Sequence, residues 1–212
     1  MTTLFPIQLD CPICDTSFTS NSVGSCGYAS KRSDFRPNYW GYNPIEFFYH
    51  LCPKCGFCAS KNSFDSKFDN PVFKEEILTM GSLPSRSLEK KLERAIICME
   101  QMNDFGLISL NEFNLANNWV EAFWWASNPD QAAKIGKIVL SYFHRAFEKD
   151  LIPATQLFVI KYLMGEIHRR LDHEKVANEL FDEVISLTKD STEFKWIHDL
   201  ALRQKEHPEE NL

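Results

Sequence analysis

The sequence predicts an α+β, mostly α protein: a small zinc-ribbon-like antiparallel β domain followed by a tetratricopeptide-like stack of helices. Three observations carry this reading. Six of the seven cysteines fall between Cys11 and Cys58. Residues 1–60 hold strand and turn formers, whereas from residue 71 onward apolar residues recur at three- and four-residue steps. Between them runs ASKNSFDSKFDN, residues 59–70, whose Ser, Asn, Asp and Lys suit a connection. The expected organisation is a metal-binding domain over 1–60, a linker over 61–70 pinned to a neighbour by Phe64 and Phe68, and a helical domain over 71–212.

Composition bounds the function. With 212 residues, 44% hydrophobic and 25% charged, the chain can bury a core and is not a disordered or low-complexity class. A formal charge of −6 weighs against wholesale phosphate binding. No apolar run approaches the roughly 20 residues that span a bilayer. The first residues, MTTLFPIQLD, show neither basic leader nor apolar signal core, so the expected home is the cytoplasm. Reduced cysteines at short spacing there bind metal more often than they form disulfides.

In the first domain, Cys11-Pro-Ile-Cys14 and Cys52-Pro-Lys-Cys55-Gly56 are two Cys-Pro-x-Cys pairs. Each can form a tight turn whose backbone N–H groups point at the thiolates, with Gly56 suited to a positive φ after the second pair. Together the turns supply four sulfurs in a tetrahedron, the ligand set of a closed structural zinc site: Cys11, Cys14, Cys52 and Cys55. Cys55/Cys58 is a second pair in register, but Cys52/Cys55 repeats the form of the first. Cys26 is read as a turn bystander, Cys98 as core, and His50 as a surface strand residue rather than a ligand. Residues 17–23 form an expected strand. Residues 44–51 form another, with Ile45, Phe47, Tyr49 and Leu51 on one face. So small a domain has a marginal core, and the metal supplies much of its folding free energy.

In the second domain, Asn70-Pro71 and Asn128-Pro129 place a cap before a proline, and Gly81 ends the first short helix. Further helices are expected over 87–102, 109–126, 129–149, 153–171, 174–188 and 192–204. The inward faces include Leu92, Ala95 and Ile96, then Phe113, Ala116, Val120 and Phe123, then Ile135, Val139, Tyr142 and Ala146. Gly165, Ala177 and Phe181 match the close-approach, small and aromatic positions of a tetratricopeptide repeat, while Asp172 stands at its turn glycine. Of Phe123, Trp124 and Trp125, two are expected in the core. Arg169-Arg170 is read either as an anion or acidic-peptide site or as a solvated helix end. No nucleophile–base–acid set, Gly-rich phosphate loop or His-Glu-x-x-His motif occurs, so no catalytic residue is assigned.

Several of these segments together resemble the prokaryotic family called domain of unknown function 2225. They are the two cysteine pairs with Gly56-Phe57; Ser33-Asp34-Phe35-Arg36-Pro37 with Tyr39; Asn43-Pro44; and Gly165-Glu166-Ile167-His168-Arg169-Arg170-Leu171. The resemblance implies a zinc-ribbon-like head on a tetratricopeptide-like body and supplies no activity. Asp172 departs from the glycine usual after that Arg-Arg-Leu. The segment around Asp34 and Arg36 is either a family-specific surface or a salt bridge.

The expected function is a non-enzymatic zinc-binding adaptor whose helical body binds a protein or peptide partner. A rubredoxin-like iron redox protein is the alternative. Nucleic-acid binding through Lys31, Arg32, Arg36, Lys54 and Lys61 stands behind both.

Overall fold

A computed structural model describes residues 2–85 and 87–211. Among the described residues the fold is α+β and mostly α, with eight α-helices and three two-stranded sheets. Its contacts separate into two compact units, Met1–Ala29 with Tyr39–Leu110, and Ser30–Asn38 with Asn111–Leu212.

The first unit opens with β1 (Thr3–Asp10), a strand without an earlier counterpart in the sequence reading, paired antiparallel with β2 (Ser17–Ser25). Pro6 hid β1, yet a proline fits a two-stranded ladder because every strand there is an edge. β3 (Tyr28–Lys31) and β4 (Pro37–Tyr39) form a second hairpin, whose residues Ser30–Asn38 belong to the second unit. The strand expected over 44–51 is mostly absent. Asn43 accepts a hydrogen bond from the Ile45 amide and Pro44 presets φ, so Pro44–Phe47 winds into a 3₁₀ turn instead. Only β5 (His50–Leu51) remains extended, paired with β6 (Cys58–Ala59).

The stretch 61–70, expected as a linker, lies inside this first unit. It carries the short helix α1 (Lys61–Phe64), and Phe64 and Phe68 are both buried. Rings pack in sequence, Phe57–Phe64 at 5.2 Å, Phe57–Phe68 at 6.0 Å and Phe68–Phe73 at 5.2 Å between centroids. The last two pairs are edge-on, and such pairs add about 0.5–1.5 kcal/mol each beyond area burial. They draw in α2 (Pro71–Met80), capped by Asn70, and α3 (Leu88–Asp104). One core therefore holds Leu9, Ile13 and Phe57 together with Phe73 and Ile77 of α2 and Ala95 and Met102 of α3.

In the second unit, α4 (Glu112–Trp124) starts at a capping box on Asn111, and α5 (Pro129–Glu148) at Asn128. α6 (Leu157–Arg170), α7 (Glu174–Thr188) and α8 (Lys195–Glu206) follow. α4 packs on α5, α5 on α6, α6 on α7 and α7 on α8, and α8 also returns to touch α6. A Cβ on Gly165 would lie 2.6 Å from the Phe181 ring, so α6 and α7 meet where a side chain has no room. Asp172 adopts φ 59°, and His173 donates to the His168 carbonyl, so the turn keeps the left-handed geometry that glycine usually supplies.

Candidate metal centre

Both cysteine pairs sit in the loops of hairpins. Asp10 opposes Ser17 across the first loop, and Leu51 opposes Cys58 across the second. The loops share one backbone pattern. Cys11 donates its amide to the Thr16 carbonyl and accepts from the Asp15 amide. Cys52 likewise donates to the Phe57 carbonyl and accepts from the Gly56 amide. The residue after each second cysteine is left-handed, Asp15 at φ 56° and Gly56 at φ 75°. Asp15 was missed, although aligning the two pairs puts it in the Gly56 slot, and aspartate is among the few side chains that tolerate that region.

Four sulfurs converge. Cys11, Cys14, Cys52 and Cys55 place their Sγ atoms all within 4.8 Å of one another. Cys11 and Cys55 are 3.5 Å apart, and Cys14 and Cys52 3.6 Å. A tetrahedron with metal–sulfur bonds of about 2.3 Å has edges of about 3.8 Å, so the set fits an ion at its centre. All seven cysteines are free thiols. The Cys55 thiol, donating to Cys11, is the main cause that holds Cys11 near 5, against burial and with help from the Ile13 and Cys14 amides. That same bond, then burial, pushes Cys55 up, and burial pushes Cys52 up despite the amides of Cys55 and Lys54. Amides aimed at sulfur and a thiolate held among thiols are the features of a ligand set that loses its remaining protons on binding a cation.

The other candidates separate from this cluster. Cys58 is fully buried and donates to the Lys91 carbonyl at 3.6 Å. Burial raises both it and Cys98, the latter to about 11, so both are core thiols. Cys26 is exposed. His50 is not a surface residue: it is 1% exposed, its Nδ1 lies 2.9 Å from Ser20 Oγ, and its ring stands edge-on to Phe64. Burial lowers it to about 4, so it is held neutral as a structural partner of β2. Arg94, also missed, donates to the carbonyls of Gly56 and Gly81 and ties the second loop to the end of α2. A lone arginine on a helix carries no local pattern that announces such a contact.

In the second unit, the Asp34–Arg36 segment is a salt-bridged anchor rather than a surface. It forms the tip of the β3–β4 hairpin. Asp34 and Ser33 are fully buried; Asp34 pairs with Arg170 at 2.8 Å, and Ser33 donates to Glu166 at 2.6 Å. Arg169 grips Glu166 through two nitrogens, at 3.0 and 3.1 Å, so both arginines of the pair are engaged. Burial lowers Arg170, while the bond to Glu166 raises Arg169. Of the three aromatics only Phe123 is buried, one fewer than expected, because the two tryptophans are turned to the hairpin tip and stay half-buried. Trp124 donates to the Asp34 carbonyl, and Trp125 lies beneath the Arg36 guanidinium at 5.0 Å.

The molecule thus defines a class: a unit with a four-cysteine cluster able to hold a metal ion, and a unit of packed helices. The chain belongs to the family described as uncharacterized protein conserved in bacteria, domain of unknown function 2225, whose model matches residues 4–207. No curated protein and no solved structure matches the chain. No helix among the described residues is long and apolar enough to cross a membrane.

Proposed function

We propose that the protein is a non-enzymatic, cytoplasmic zinc-binding adaptor whose helical unit binds a protein or peptide partner. The observation that carries the metal half is the mutual packing of four thiols within 4.8 Å on two matching loops. Thiolate-only tetrahedra are closed sites that stabilise a fold and leave no open position for substrate. Cys11, Cys52 and Cys55 belong to the core of their unit, the setting of a structural ion, and the reading takes that ion as zinc. A reducing compartment keeps the seven thiols available for this role. For the partner half, the support is the repeat-like meeting of α6 and α7 at Gly165 and Phe181, continued by α8, an arrangement that presents extended side-chain surfaces.

Elemental analysis of purified protein is expected to give one zinc per chain and no visible absorption band. Cys52→Ser is expected to lose stoichiometric metal, while Cys58→Ser keeps it. A coloured iron-loaded protein, or full metal in Cys52→Ser, overturns the assignment. Partner capture from the native organism, read by mass spectrometry with and without residues of the helical unit altered, tests the second half.

A further inference from the structure

The second unit contains a groove of about 480 Å³ whose chemistry differs from the rest of this acidic chain. Its wall is apolar, made by Phe35 of the hairpin tip, Val159 of α6, and Trp196 and Leu200 of α8. Its rim carries Lys31, Arg203 and Asp199. The Asp199 carboxylate is already matched by Lys195 at 3.1 Å, and the Arg203 side chain has no partner among the described residues. The rim therefore presents the open Arg203 guanidinium beside an apolar floor, in a chain of formal charge −6.

Two features show that this wall is held in place rather than left over. Trp196 is 52% exposed, although Phe35 is stacked edge-on against it at 6.2 Å. Phe35 itself has φ 67°, a conformation that costs any residue but glycine free energy and recurs at binding sites. Glycine or asparagine would close that turn without strain. With phenylalanine there, the ring packs inward on Tyr162 at 5.4 Å and outward on the groove.

We propose that this groove is the docking site of the helical unit, and that its occupant is a peptide segment carrying a large apolar side chain next to carboxylates. The volume lies in the range of pockets that take one or two side chains. The half-exposed tryptophan supplies the anchor type that dominates peptide and protein interfaces. Arg203 supplies the carboxylate partner; a nucleic-acid backbone would call for a longer basic track than one open guanidinium. The proposal rests on the adaptor reading above and adds the place and the chemistry.

A random dodecapeptide phage library panned against full-length, metal-loaded protein tests it. Enriched peptides are expected to combine Leu, Phe or Trp with neighbouring Asp or Glu. In fluorescence anisotropy with the labelled synthetic peptide, Trp196→Ala and Arg203→Glu are each expected to weaken binding about tenfold or more, and Lys175→Glu on the exposed face of α7 to leave it unchanged. Both test residues are solvent-exposed, so folding survives their replacement. Peptides without this signature, or binding indifferent to both substitutions, overturn the groove while leaving the adaptor reading standing. No enriched peptide also overturns the groove; the adaptor reading falls only if no cellular partner copurifies as well.

Discussion

At Gly56 the demands on one residue are unusually clear. Its φ is 75°, and a Cβ there would lie 2.2 Å from the Gly81 carbonyl oxygen and 2.5 Å from Arg94. Gly56→Ala therefore meets both backbone strain and a contact that only backbone movement relieves. We expect it to cost at least about 2 kcal/mol in urea unfolding of the metal-loaded protein. Asp15→Gly, at the matching position of the first loop, relieves strain and should fall within about 1 kcal/mol of the parent. Equal losses from the two would show that the loops do not share a conformation. The cysteines and Gly56 were legible because their spacing is chemical information that survives in one dimension. Arg94 and His50 were not: their roles depend on groups brought close only by folding, and an isolated histidine near cysteines looks alike on a surface or in a core.

Among the elements, helices were easier to read than strands for physical reasons. Caps such as Asn70, Asn111 and Asn128 act on amides two or three residues away, so local sequence decides them. Strands of two residues, such as β5 and β6, exist because the second cysteine loop joins them, and nothing in their own composition demands extension. The 3₁₀ turn at Pro44–Phe47 misled because its apolar residues happen to alternate. The repeat signature at Gly165 was legible and makes a sharp prediction. Gly165→Ala should push the Phe181 ring aside and cost about 1–3 kcal/mol. Adding Phe181→Leu should recover part of that loss, a coupling visible in a double-mutant cycle. An unchanged unfolding midpoint for Gly165→Ala would mean that α6 and α7 are not in that close contact.

For the whole molecule, the distribution of cores decides what metal removal does. The core that contains Cys11, Cys52 and Cys55 also contains residues of α2 and α3. Tyr162, Phe181, Val184 and Ile197 form a separate core in the helical unit. Chelation of the metal is therefore expected to release amide protection through residues 71–104 along with the cysteine loops, while α6 to α8 keep theirs. Hydrogen exchange followed by mass spectrometry reads this directly. Protection retained in α2 and α3 after chelation would mean that those helices stand without the metal. A division drawn by composition alone, at the polar stretch 61–70, places α2 and α3 with the later helices; packing of Phe64, Phe68 and Phe73 places them with the cysteines. Side chains, not linker polarity, assign a helix to its core.

The hairpin tip at Asp34 carries one more consequence, in the order in which the chain is made. Asp34 leaves the ribosome between the two cysteine pairs, yet its partner Arg170 lies far downstream. At bacterial and eukaryotic elongation rates of about 5–20 residues per second, the tip waits on the order of ten seconds for the helix that will bury it. All four clustered cysteines, and the α2 and α3 residues that share their core, are made well before Arg170, so that unit can assemble while the tip is still uncovered. The nascent chain thus passes through a stage with both cysteine loops made and the Asp34 turn uncovered, and the final helices complete the protein by closing over a segment that was translated long before them.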